Sequence, residues 1–325
     1  MKIVIIGNGP AGTTAAKKIR KLNEDIDITI ISFEEYPYYT RPKLHKLIEN
    51  KVEIENIIVY KEEWYKNNRI NLLLETNVIS IDTKNKKVVT NKDELFYDKL
   101  IIASGCNPFL PKITGIKNND IYTLRSIKDA LQIREAAKIN NEIICIGGGL
   151  LGIELASSFI SKTRNVKIIE IAGYLLIKQL KENQGIQLMK ILEEKGLQFY
   201  LHEKVKEIFR DNKKLTARTE SGKEIKGDLI LVSSGVSPRI SIAQEAGIKV
   251  DRGIIVNQYL QTSHPDIYAA GDCIQFNEKI YGFIKSSIEQ GNIAGENIIN
   301  NNSTIYNGTK IDPVLKVTGI DLKKL

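Results

Sequence analysis

The sequence predicts an α/β fold with two domains, and three observations lead to this prediction. A glycine-rich turn at residues 7–12 follows an apolar strand and precedes a helix-permissive segment. The same order recurs 140 residues later, with a turn at residues 147–152. Apolar strands that end in small residues near 99–105 and 229–235 add to an alternation of strands and helices. This alternation is typical of doubly wound parallel sheets.

Each glycine-rich turn has the form that binds the pyrophosphate of a dinucleotide. One glycine permits a tight strand-to-helix turn, another lets the backbone approach the pyrophosphate, and the following helix N-terminus favours the phosphate charge. A single match would equally describe an ordinary glycine turn. Two matches with the correct flanks predict two dinucleotides, and therefore electron transfer. The predicted contacts are Gly7, Gly9, Pro10, Ala11 and Gly12 in the first turn and Gly147, Gly149, Leu150, Leu151 and Gly152 in the second.

The predicted elements of the first half follow the βαβ order. A helix from about residue 12 to residue 22 leads to an apolar strand at residues 27–31. Strand-like segments near residues 79–82 and 87–90 come later. The second half repeats this order.

In the second half, Ser126 and Asp129 form a predicted capping box for a helix through Ala137. After the second turn, we expect a helix at residues 152–161 and a strand at residues 165–170.

The chain is predicted to pass from the first domain into an inserted domain and back again, at two crossings. Pro108 and Pro111 follow the first strand that ends in small residues, and Pro238 follows the second. A strand near residues 267–272 and a helix at 290–300 come after the second crossing. The predicted domains are therefore a first domain made of residues 1–112 and 239–325 and an inserted domain of residues 113–238.

Composition excludes several classes of protein. The 325 residues are 42% hydrophobic and 26% charged, which is typical of soluble globular proteins. The apolar runs are too short to span a membrane, and Met1 leads into a strand and not into a signal peptide. The net charge of +8 is dispersed, which favours a solvated lysine-rich surface over a nucleic-acid-binding face. Three widely spaced cysteines argue against a disulfide framework or a metal site and favour the cytoplasm.

Five segments together carry a resemblance to a known family: residues 7–12, 39–44, 103–105, 147–154 and 262–272. In order and spacing they resemble the pyridine-nucleotide-linked FAD oxidoreductases, in particular NADH:rubredoxin oxidoreductases and the flavin-binding part of nitrite reductase large subunits. The resemblance implies two Rossmann-like domains, with FAD at the first turn and NADH at the second. It also implies a third, C-terminal domain that would begin near residues 313–319, and we expect this domain to be largely absent.

The resemblance assigns further contacts with FAD. Asp272 would accept a hydrogen bond from the ribityl chain, and the helix at Gln290 would direct its N-terminus at the flavin. Ser32 stands at the strand end where many relatives carry glutamate, so Glu34 is the candidate for the FAD ribose. The implied FAD contacts beyond the first turn are Glu34, Arg41, Pro42, Ala103, Ser104, Gly105, Gly271, Asp272 and Gln290. Arg41 could alternatively be an ordinary surface arginine.

The second domain carries a specificity signal. Glu170 lies 23 residues after Gly147, where a carboxylate can bind both ribose hydroxyls of NAD. The next three residues are uncharged, so we expect NADH to be preferred over NADPH. Gly235 is expected to contact the same nucleotide.

Lys46 and Glu154 are the candidate catalytic residues. In related ferredoxin-type reductases a lysine shortly after the Arg-Pro pair lies at the flavin N5 edge and pairs with the glutamate of Gly-x-x-Gly-x-Glu. Lys46 and Glu154 match these two positions. A cation there would favour the reduced, anionic flavin. The alternative is a pair of unrelated surface charges.

Missing cysteines limit how electrons can leave the flavin. The chain contains no Cys-x-x-Cys or Cys-x4-Cys pair and no cysteine at residues 40–46. Cys106 is expected to be a buried structural thiol. We therefore expect an enzyme that passes a hydride from NADH to FAD and electrons to a small acidic redox protein such as rubredoxin. The alternatives are an NADH-oxidising component of a nitrite reductase, an NADH oxidase, and a flavin-binding regulatory protein without turnover. The oligomeric state stays open.

Overall fold

The computed structural model describes residues 1–117, 120–161, 163–212, 214–310 and 316–325. The α-helices of this part are α1 (Pro10–Leu22), α2 (Leu44–Ile48), α3 (Glu62–Asn67), α4 (Ile127–Ala136), α5 (Leu150–Ser157), α6 (Glu182–Glu194), α7 (Ser241–Glu245) and α8 (Ile284–Asn300). Short 3-10 helices occur at Arg41–Lys43, Ile54–Asn56 and Leu322–Lys324. None of the described helices is both long enough and apolar enough to cross a membrane.

The strands in the first part of the described chain are β1 (Lys2–Ile6), β2 (Asp27–Ile31), β3 (Ile70–Leu73), β4 (Val78–Asp82), β5 (Lys87–Thr90), β6 (Glu94–Phe96), β7 (Lys99–Ile102), β8 (Cys106–Pro108), β9 (Ile121–Tyr122), β10 (Glu142–Ile146) and β11 (Asn165–Ile169). Those that follow are β12 (Leu197–Tyr200), β13 (Val205–Asp211), β14 (Lys214–Thr219), β15 (Glu224–Gly227), β16 (Leu229–Val232), β17 (Val236–Pro238), β18 (Ile254–Ile255), β19 (Ile267–Ala269), β20 (Ile274–Gln275), β21 (Lys316–Val317) and β22 (Ile320–Asp321).

The chain divides into two compact units. The first contains residues 1–40, 58–107 and 236–310, and the second contains residues 41–57, 108–235 and 316–325. The predicted boundaries at 112/113 and 238/239 lie a few residues from these divisions. Residues 41–57, which the sequence places in the first domain, group instead with the second unit, because α2 packs against α4. A third domain is predicted to begin near residues 313–319, and residues 313–315 of this segment lie outside the described residues.

The first unit is built on a parallel sheet with the strand order β19-β7-β1-β2-β3. Its central strand β1 is rich in isoleucine, and Ile3 and Ile5 are fully buried. A strand that is covered on both faces needs such a continuous apolar run. Helices α1 and α8 pack closely, since a Cβ on Gly291 would lie 2.3 Å from the carbonyl oxygen of Ala11. An antiparallel sheet β4-β5-β6 extends this unit.

The second unit repeats this spatial order of strands, but its edge strand β9 comes first in the chain, whereas β19 comes last in the first sheet. Its parallel sheet has the order β12-β11-β10-β16-β9, with the central strand β10 again leading into a glycine-rich turn. An antiparallel sheet β13-β14-β15 follows the pattern of the first unit. The predicted capping box is confirmed, because the Ser126 hydroxyl accepts from the Asp129 N–H (3.1 Å) and Asp129 accepts from the Ser126 N–H (2.8 Å). The described residues therefore confirm the predicted α/β fold with two Rossmann-like sheets.

Candidate functional site

The first glycine-rich turn uses two of its glycines for its own packing. Gly7 has a left-handed φ of 114°, and a Cβ there would lie 2.1 Å from the carbonyl oxygen of Ala103. A Cβ on Gly12 would lie 2.0 Å from the carbonyl oxygen of Gly7. At Gly9, by contrast, no described atom other than those of its chain neighbours comes within 4 Å of the Cβ position. The backbone at Gly9 therefore borders open space.

The second turn repeats this arrangement. Gly147 also has a φ of 114°, and a Cβ there would lie 2.4 Å from the carbonyl oxygen of Ser233. A Cβ on Gly152 would lie 2.1 Å from the carbonyl oxygen of Gly147, whereas Gly149 again borders open space. Both units thus keep the middle glycine of the turn accessible to a ligand.

The helices that follow the two turns leave their N-termini available. Helix α1 begins at Pro10 after Gly9, and α5 begins at Leu150 after Gly149. Neither helix has a side-chain cap or an acidic residue in its first turn. The first N–H groups of a helix lack partners within it, and the dipole makes this end positive. An anion such as a pyrophosphate fits both positions. Beside the second, the Leu151 side chain is 55% exposed, whereas Ala11 is buried beside the first.

The small residues after β7 and β16 lie next to the glycine turns of their own units. The Ala103 N–H donates to the carbonyl of Ile6 at the end of β1 (2.8 Å). In the same way, the Ser233 N–H donates to the carbonyl of Ile146 at the end of β10 (2.8 Å). These segments also contain the predicted site residues Ser104, Gly105 and Gly235, and both glycines have a left-handed φ.

Glu170 is held at the end of β11 by the backbone of its own unit. Its carboxylate accepts from the Gly148 N–H (2.5 Å) in the second turn and from the Ala172 N–H (2.8 Å). The side chain therefore lies beside the second glycine-rich turn. The preference for NADH that was inferred from Glu170 stays a prediction.

The equivalent position in the first unit is Ser32. The Gly7 N–H donates to Ile31, the last residue of β2, as the Gly147 N–H donates to Ile169, the last residue of β11. Glu34 lies two residues further along the chain. Its main-chain N–H donates to the Ser32 hydroxyl (3.3 Å), and its carboxylate accepts from the Tyr39 hydroxyl. The carboxylate of Glu34 is thus already engaged within the protein, and its contact with a ribose stays a prediction.

Asp272 lies after β19, and both of its carboxylate oxygens have partners. The Cys106 thiol donates to Oδ2 (3.3 Å), and the Ser287 hydroxyl donates to Oδ1 (3.3 Å). Gly271, with a φ of 91°, brings this segment close to α1, since a Cβ there would lie 3.0 Å from the Cβ of Ala11. Sequence reasoning missed the roles of Cys106 and Ser287, because no spacing pattern relates them to Asp272.

The prediction for the helix at Gln290 was wrong about where the helix begins. Helix α8 starts at Ile284, so Gln290 lies in its second turn and its backbone N–H is not at the N-terminus. The Gln290 side chain is fully buried. Its Oε1 accepts from the Gly271 N–H (2.8 Å), and its Nε2 donates to the Tyr306 hydroxyl (2.8 Å). The amide therefore fixes the Gly271-Asp272 segment.

Arg41 and Pro42 lie in the second unit, in the short 3-10 helix before α2. Pro42 is exposed. The Arg41 guanidinium donates to the carbonyl of Arg125 (2.7 Å), at the start of the segment that leads into α4. This bond ties residues 41–43 to the second unit.

Lys46 and Glu154 lie in the same unit and interact electrostatically. Lys46 is exposed on α2, and Glu154 is partly buried on α5. Burial raises the pKa of Glu154, and the positive charge of Lys46 partly opposes this shift. Among the described residues, no ion pair joins the two side chains. They are close enough to influence each other without direct contact.

The three cysteines do not form a redox pair in the described residues. Cys106, Cys145 and Cys273 are all buried, and none of the three is in a disulfide. Burial raises the pKa of Cys145 to about 12, which makes this thiol unreactive at neutral pH. Within the same described residues, no group of three or more His, Cys, Asp or Glu side chains could hold a metal ion.

Comparison with known proteins places this site in a family. The chain is 35% identical to the NADH-rubredoxin oxidoreductase of Clostridium acetobutylicum over 99% of its own length and 80% of that protein. A crystal structure of NADH:rubredoxin oxidoreductase from Clostridium acetobutylicum, 34% identical, superposes with a TM-score of 0.83 and covers 98% of this chain and 80% of that one.

A longer relative shows similar identity. The chain is 34% identical to the nitrite reductase [NAD(P)H] of Bacillus subtilis over 99% of its own length, but it spans only 40% of that protein. Residues 1–295 match the family described as pyridine nucleotide-disulphide oxidoreductase. The chain belongs to the pyridine nucleotide-disulphide oxidoreductase family.

Proposed function

We propose that the chain is an FAD-dependent NADH oxidoreductase that passes a hydride from NADH to FAD and electrons on to a small redox protein. The observation that carries this proposal is the glycine-rich turn with open space beside it, which occurs once in each unit. Each unit presents an accessible middle glycine, Gly9 or Gly149, directly before a helix N-terminus without a side-chain cap. Two such turns in one chain indicate that it binds two dinucleotides. Reduction of one bound dinucleotide by the other is the reaction that this arrangement supports.

The residues of the first unit fit FAD. Gly9 and the N-terminus of α1 would receive the pyrophosphate, and the fixed carboxylate of Asp272 would accept a hydrogen bond from a ribityl hydroxyl. Bound FAD supplies the chemistry, because it accepts two electrons as a hydride and can release them singly. The protein contributes orientation: the bonds from Cys106 and Ser287 hold Asp272, and Gln290 holds Gly271.

The residues of the second unit fit NADH. Gly149 and the N-terminus of α5 would receive the pyrophosphate. The carboxylate of Glu170 would accept hydrogen bonds from the adenosine ribose hydroxyls, and its charge would repel the 2′-phosphate of NADPH. Two backbone N–H groups already orient this carboxylate, so little of its conformational freedom is lost on binding.

We further propose that Lys46 stabilises negative charge on the reduced flavin and that Glu154 holds it in range. The ammonium group of Lys46 is a compact point charge on α2, and the partly buried carboxylate on α5 is within its electrostatic reach. A fixed positive charge near a developing anion lowers the energy of the transition state. No general base is needed for a hydride transfer.

Named relatives support a small redox protein as the acceptor. They include the NADH-rubredoxin oxidoreductase of Clostridium acetobutylicum and the rubredoxin-NAD(+) reductase of Pseudomonas putida, which is 34% identical over 87% of this chain. A structure of a covalent putidaredoxin reductase-putidaredoxin complex is 26% identical, with a TM-score of 0.85. The net charge of +8 suits an acidic partner such as rubredoxin.

A second candidate function rests on the longer relatives. The chain spans 40% of the Bacillus subtilis nitrite reductase and 42% of the assimilatory nitrate reductase electron transfer subunit of the same organism. In that role it would deliver electrons from NADH to a further redox centre. An NADH oxidase activity is the other option, since the chain is 33% identical to the NADH oxidase of Methanocaldococcus jannaschii.

Anaerobic reduction tests the proposal. The protein, loaded with FAD, is titrated with NADH while the flavin absorbance is followed, and we expect bleaching that stops at two electrons per FAD. Oxidised rubredoxin, ferredoxin, a nitrite-reducing partner and oxygen are then added separately, and the fastest reoxidation identifies the acceptor. A Gly149→Val variant is the control, since it should keep FAD but resist reduction by NADH. A protein that binds no FAD, or whose flavin NADH does not reduce, contradicts the proposal.

A further inference from the structure

The first glycine-rich turn contains a chemically labile pair of residues. In an Asn-Gly pair, the main-chain nitrogen of the glycine can attack the side-chain amide carbon of the asparagine, because glycine has no Cβ to hinder the approach. The attack forms a cyclic imide, which water then opens to aspartate or isoaspartate. The sequence contains two such pairs, Asn8-Gly9 in the turn and Asn307-Gly308 after α8.

The attacking nitrogen of Gly9 is not engaged within the protein. No described atom other than those of its chain neighbours lies within 4 Å of the Cβ position of Gly9. Among the described residues, none accepts a hydrogen bond from the Gly9 N–H. Under the proposed function, this part of the turn receives the pyrophosphate of FAD, whose oxygens accept hydrogen bonds from main-chain N–H groups. Bound FAD would therefore occupy the nitrogen that can attack Asn8.

Two hydroxyl groups hold the amide oxygen of Asn8. The Tyr65 hydroxyl on α3 donates to Oδ1 (2.9 Å), and the Thr13 hydroxyl on α1 donates to the same oxygen (3.1 Å). Tyr65 and Thr13 are each only 1% exposed. Rotation of the amide towards the Gly9 nitrogen would break both bonds and leave two buried hydroxyls unpaired, which is costly.

The amide nitrogen of Asn8 has no such restraint. Nδ2 is buried and has no hydrogen-bond partner in the described part of the chain, so its departure as ammonia breaks no hydrogen bond. The restraint on the reaction therefore comes from the two bonds to Oδ1. Asn307 differs, because its side chain is exposed and no described residue bonds to its amide.

We propose that Asn8 is a deamidation site, which Tyr65 and Thr13 keep unreactive and which bound FAD protects further. The Gly9 nitrogen bonds to Cγ of Asn8, and the amide group leaves with the proton of the Gly9 N–H as ammonia. One water molecule is consumed when the imide opens, and no group is oxidised or reduced. A carboxylate then stands where a neutral amide stood.

The new charge would change cofactor binding. A carboxylate at position 8 would repel the pyrophosphate of FAD, because both are negative. This consequence rests on the proposed function, whereas the deamidation itself does not. A chain that stays without FAD would thus be converted irreversibly to a form that binds FAD weakly, and a loaded chain would be preserved.

Peptide mapping by mass spectrometry tests the proposal. The wild type and Tyr65→Phe, each as apoprotein and loaded with FAD, are incubated at mildly alkaline pH. The fractions of Asn8 and Asn307 that have exchanged NH2 for OH are followed with time. In the wild type, Asn307 should convert fastest, Asn8 of the apoprotein more slowly, and Asn8 of the loaded protein most slowly.

Tyr65→Phe removes one of the two bonds to the amide oxygen. We expect Asn8 of this apoprotein to convert about tenfold faster, which corresponds to about 1.4 kcal/mol, the order of one hydrogen bond. The rate at Asn307 should not change. Tyr60→Phe is the matched control, since it removes a hydroxyl from a nearby ring, which stacks on Trp64 with 4.1 Å between centroids. This variant should leave both rates unchanged.

Two further measurements separate local release from unfolding. The rates at both asparagines in denaturant give the unrestrained reaction, and the free energy of unfolding of each apoprotein gives its unfolded fraction. Multiplying the two gives the rate that unfolding alone allows. Asn8 of Tyr65→Phe must convert faster than this product for the hydroxyl to act on the amide directly.

The effect of the charge is measured by FAD binding to apoproteins, followed by quenching of flavin fluorescence. Asn8→Asp should weaken FAD binding about tenfold, which corresponds to about 1.4 kcal/mol. Asn307→Asp introduces the same charge at the other Asn-Gly pair and should leave the dissociation constant unchanged.

Several results would overturn the proposal. Asn8 of the folded wild-type apoprotein could convert as fast as in denaturant, or Tyr65→Phe could leave its conversion unchanged or slow it. Loading with FAD could fail to slow the conversion, or Asn8→Asp could bind FAD normally. Failure of the wild type to bind FAD would instead contradict the proposed function, and the comparison of apoproteins would still decide whether Tyr65 restrains Asn8.

Discussion

At the scale of single residues, the three glycines of the Gly-x-Gly-x-x-Gly pattern in each turn differ in what a side chain there would meet. Gly7 and Gly12 are needed because a Cβ would collide with backbone oxygens of the protein itself. Gly9 faces open space, so only a ligand can require its lack of a side chain. The same division holds for Gly147 and Gly152 against Gly149.

This division predicts separate effects for two substitutions. Gly9→Val should fold normally but weaken FAD binding about tenfold or more, about 1.4 kcal/mol, because the side chain occupies the space for the pyrophosphate. Gly12→Val should lower stability by about 1–3 kcal/mol through overpacking. Thermal unfolding of the apoproteins and FAD titration measure the two effects. Normal FAD affinity in folded Gly9→Val would show that the turn does not hold a phosphate.

A second prediction at this scale concerns Lys46. Because its charge lowers the pKa of Glu154, Lys46→Met should raise that pKa further above its usual range. The variant should also slow reduction of the flavin by NADH more than it weakens NADH binding. Stopped-flow reduction as a function of pH measures both quantities, and Lys43→Met on the preceding turn is the matched control. Equal rates and pH profiles in the wild type and Lys46→Met would remove Lys46 from the site.

At the scale of elements, the two units differ in the residue that follows β2 and β11. Glu170 follows β11 and bonds to the second glycine turn, whereas Ser32 takes the same place after β2. The second unit therefore presents a negative charge where the first presents a hydroxyl. We therefore predict that the second unit discriminates between NADH and NADPH.

Glu170→Ala should raise KM for NADH roughly tenfold to a hundredfold, because a hydrogen bond to a charged group contributes about 1.5–3 kcal/mol. The catalytic rate constant should change less, since the ribose contact exists before and during the hydride transfer. Steady-state kinetics with NADH and NADPH check this, with Glu182→Ala in the first turn of α6 as a control. Similar kcat/KM values for the two nucleotides in the wild type would refute the predicted preference.

Glu203, near the end of β12, gives a pH-dependent prediction. Its carboxylate is buried, bonds to Lys223 (2.8 Å) and Ser221 (2.7 Å), and these contacts lower its pKa to about 2. A group with a lowered pKa in the folded state stabilises the protein above its unfolded pKa, and this contribution is lost as the pH falls towards 2. Glu203→Gln should therefore be less stable than the wild type at pH 7, with a difference that shrinks below about pH 4.5. Denaturant unfolding at several pH values measures this, and a constant difference down to pH 3 would contradict it.

Most elements could be predicted because their own sequence specifies them. Strands 27–31 and 87–90 have the predicted bounds, and the capping box at Ser126 sets the start of α4. The start of α8 could not be predicted, because its N-cap is Phe283, which carries no capping oxygen. The partners of Asp272 could not be predicted either, because only the tertiary fold brings Cys106 into contact with it.

At the scale of the whole molecule, the net charge of +8 predicts how the enzyme meets an acidic acceptor. Turnover with rubredoxin should fall as salt is added, because the Debye length shrinks to about 10 Å at 0.1 M and screens the approach. Steady-state rates between about 0.01 and 0.5 M salt measure this. A neutral quinone acceptor is the control and should show little dependence. Salt-independent turnover with rubredoxin would argue against electrostatic attraction between the partners.

The division into units shows where sequence reasoning reaches its limit. The domain boundaries predicted from prolines and small residues lie within a few residues of the divisions between the two compact units. Residues 41–57, which the prediction places in the first domain, group with the second compact unit through the packing of α2 on α4 and the bond from Arg41 to Arg125. Such contacts join distant parts of the chain and leave no local pattern.

The discontinuity of the first unit has a consequence for synthesis on the ribosome. Its sheet needs β19, and its helix α1 packs on α8, so the last strand and helix are made long after β1. Most of the second unit lies within residues 108–235, and this part can form while the end of the first unit is still being translated. Domains generally fold as units during synthesis. The inserted unit should therefore acquire its structure first, and the nascent amino-terminal strands must wait for the carboxyl-terminal segment, which makes them the part of the chain that most needs protection by chaperones.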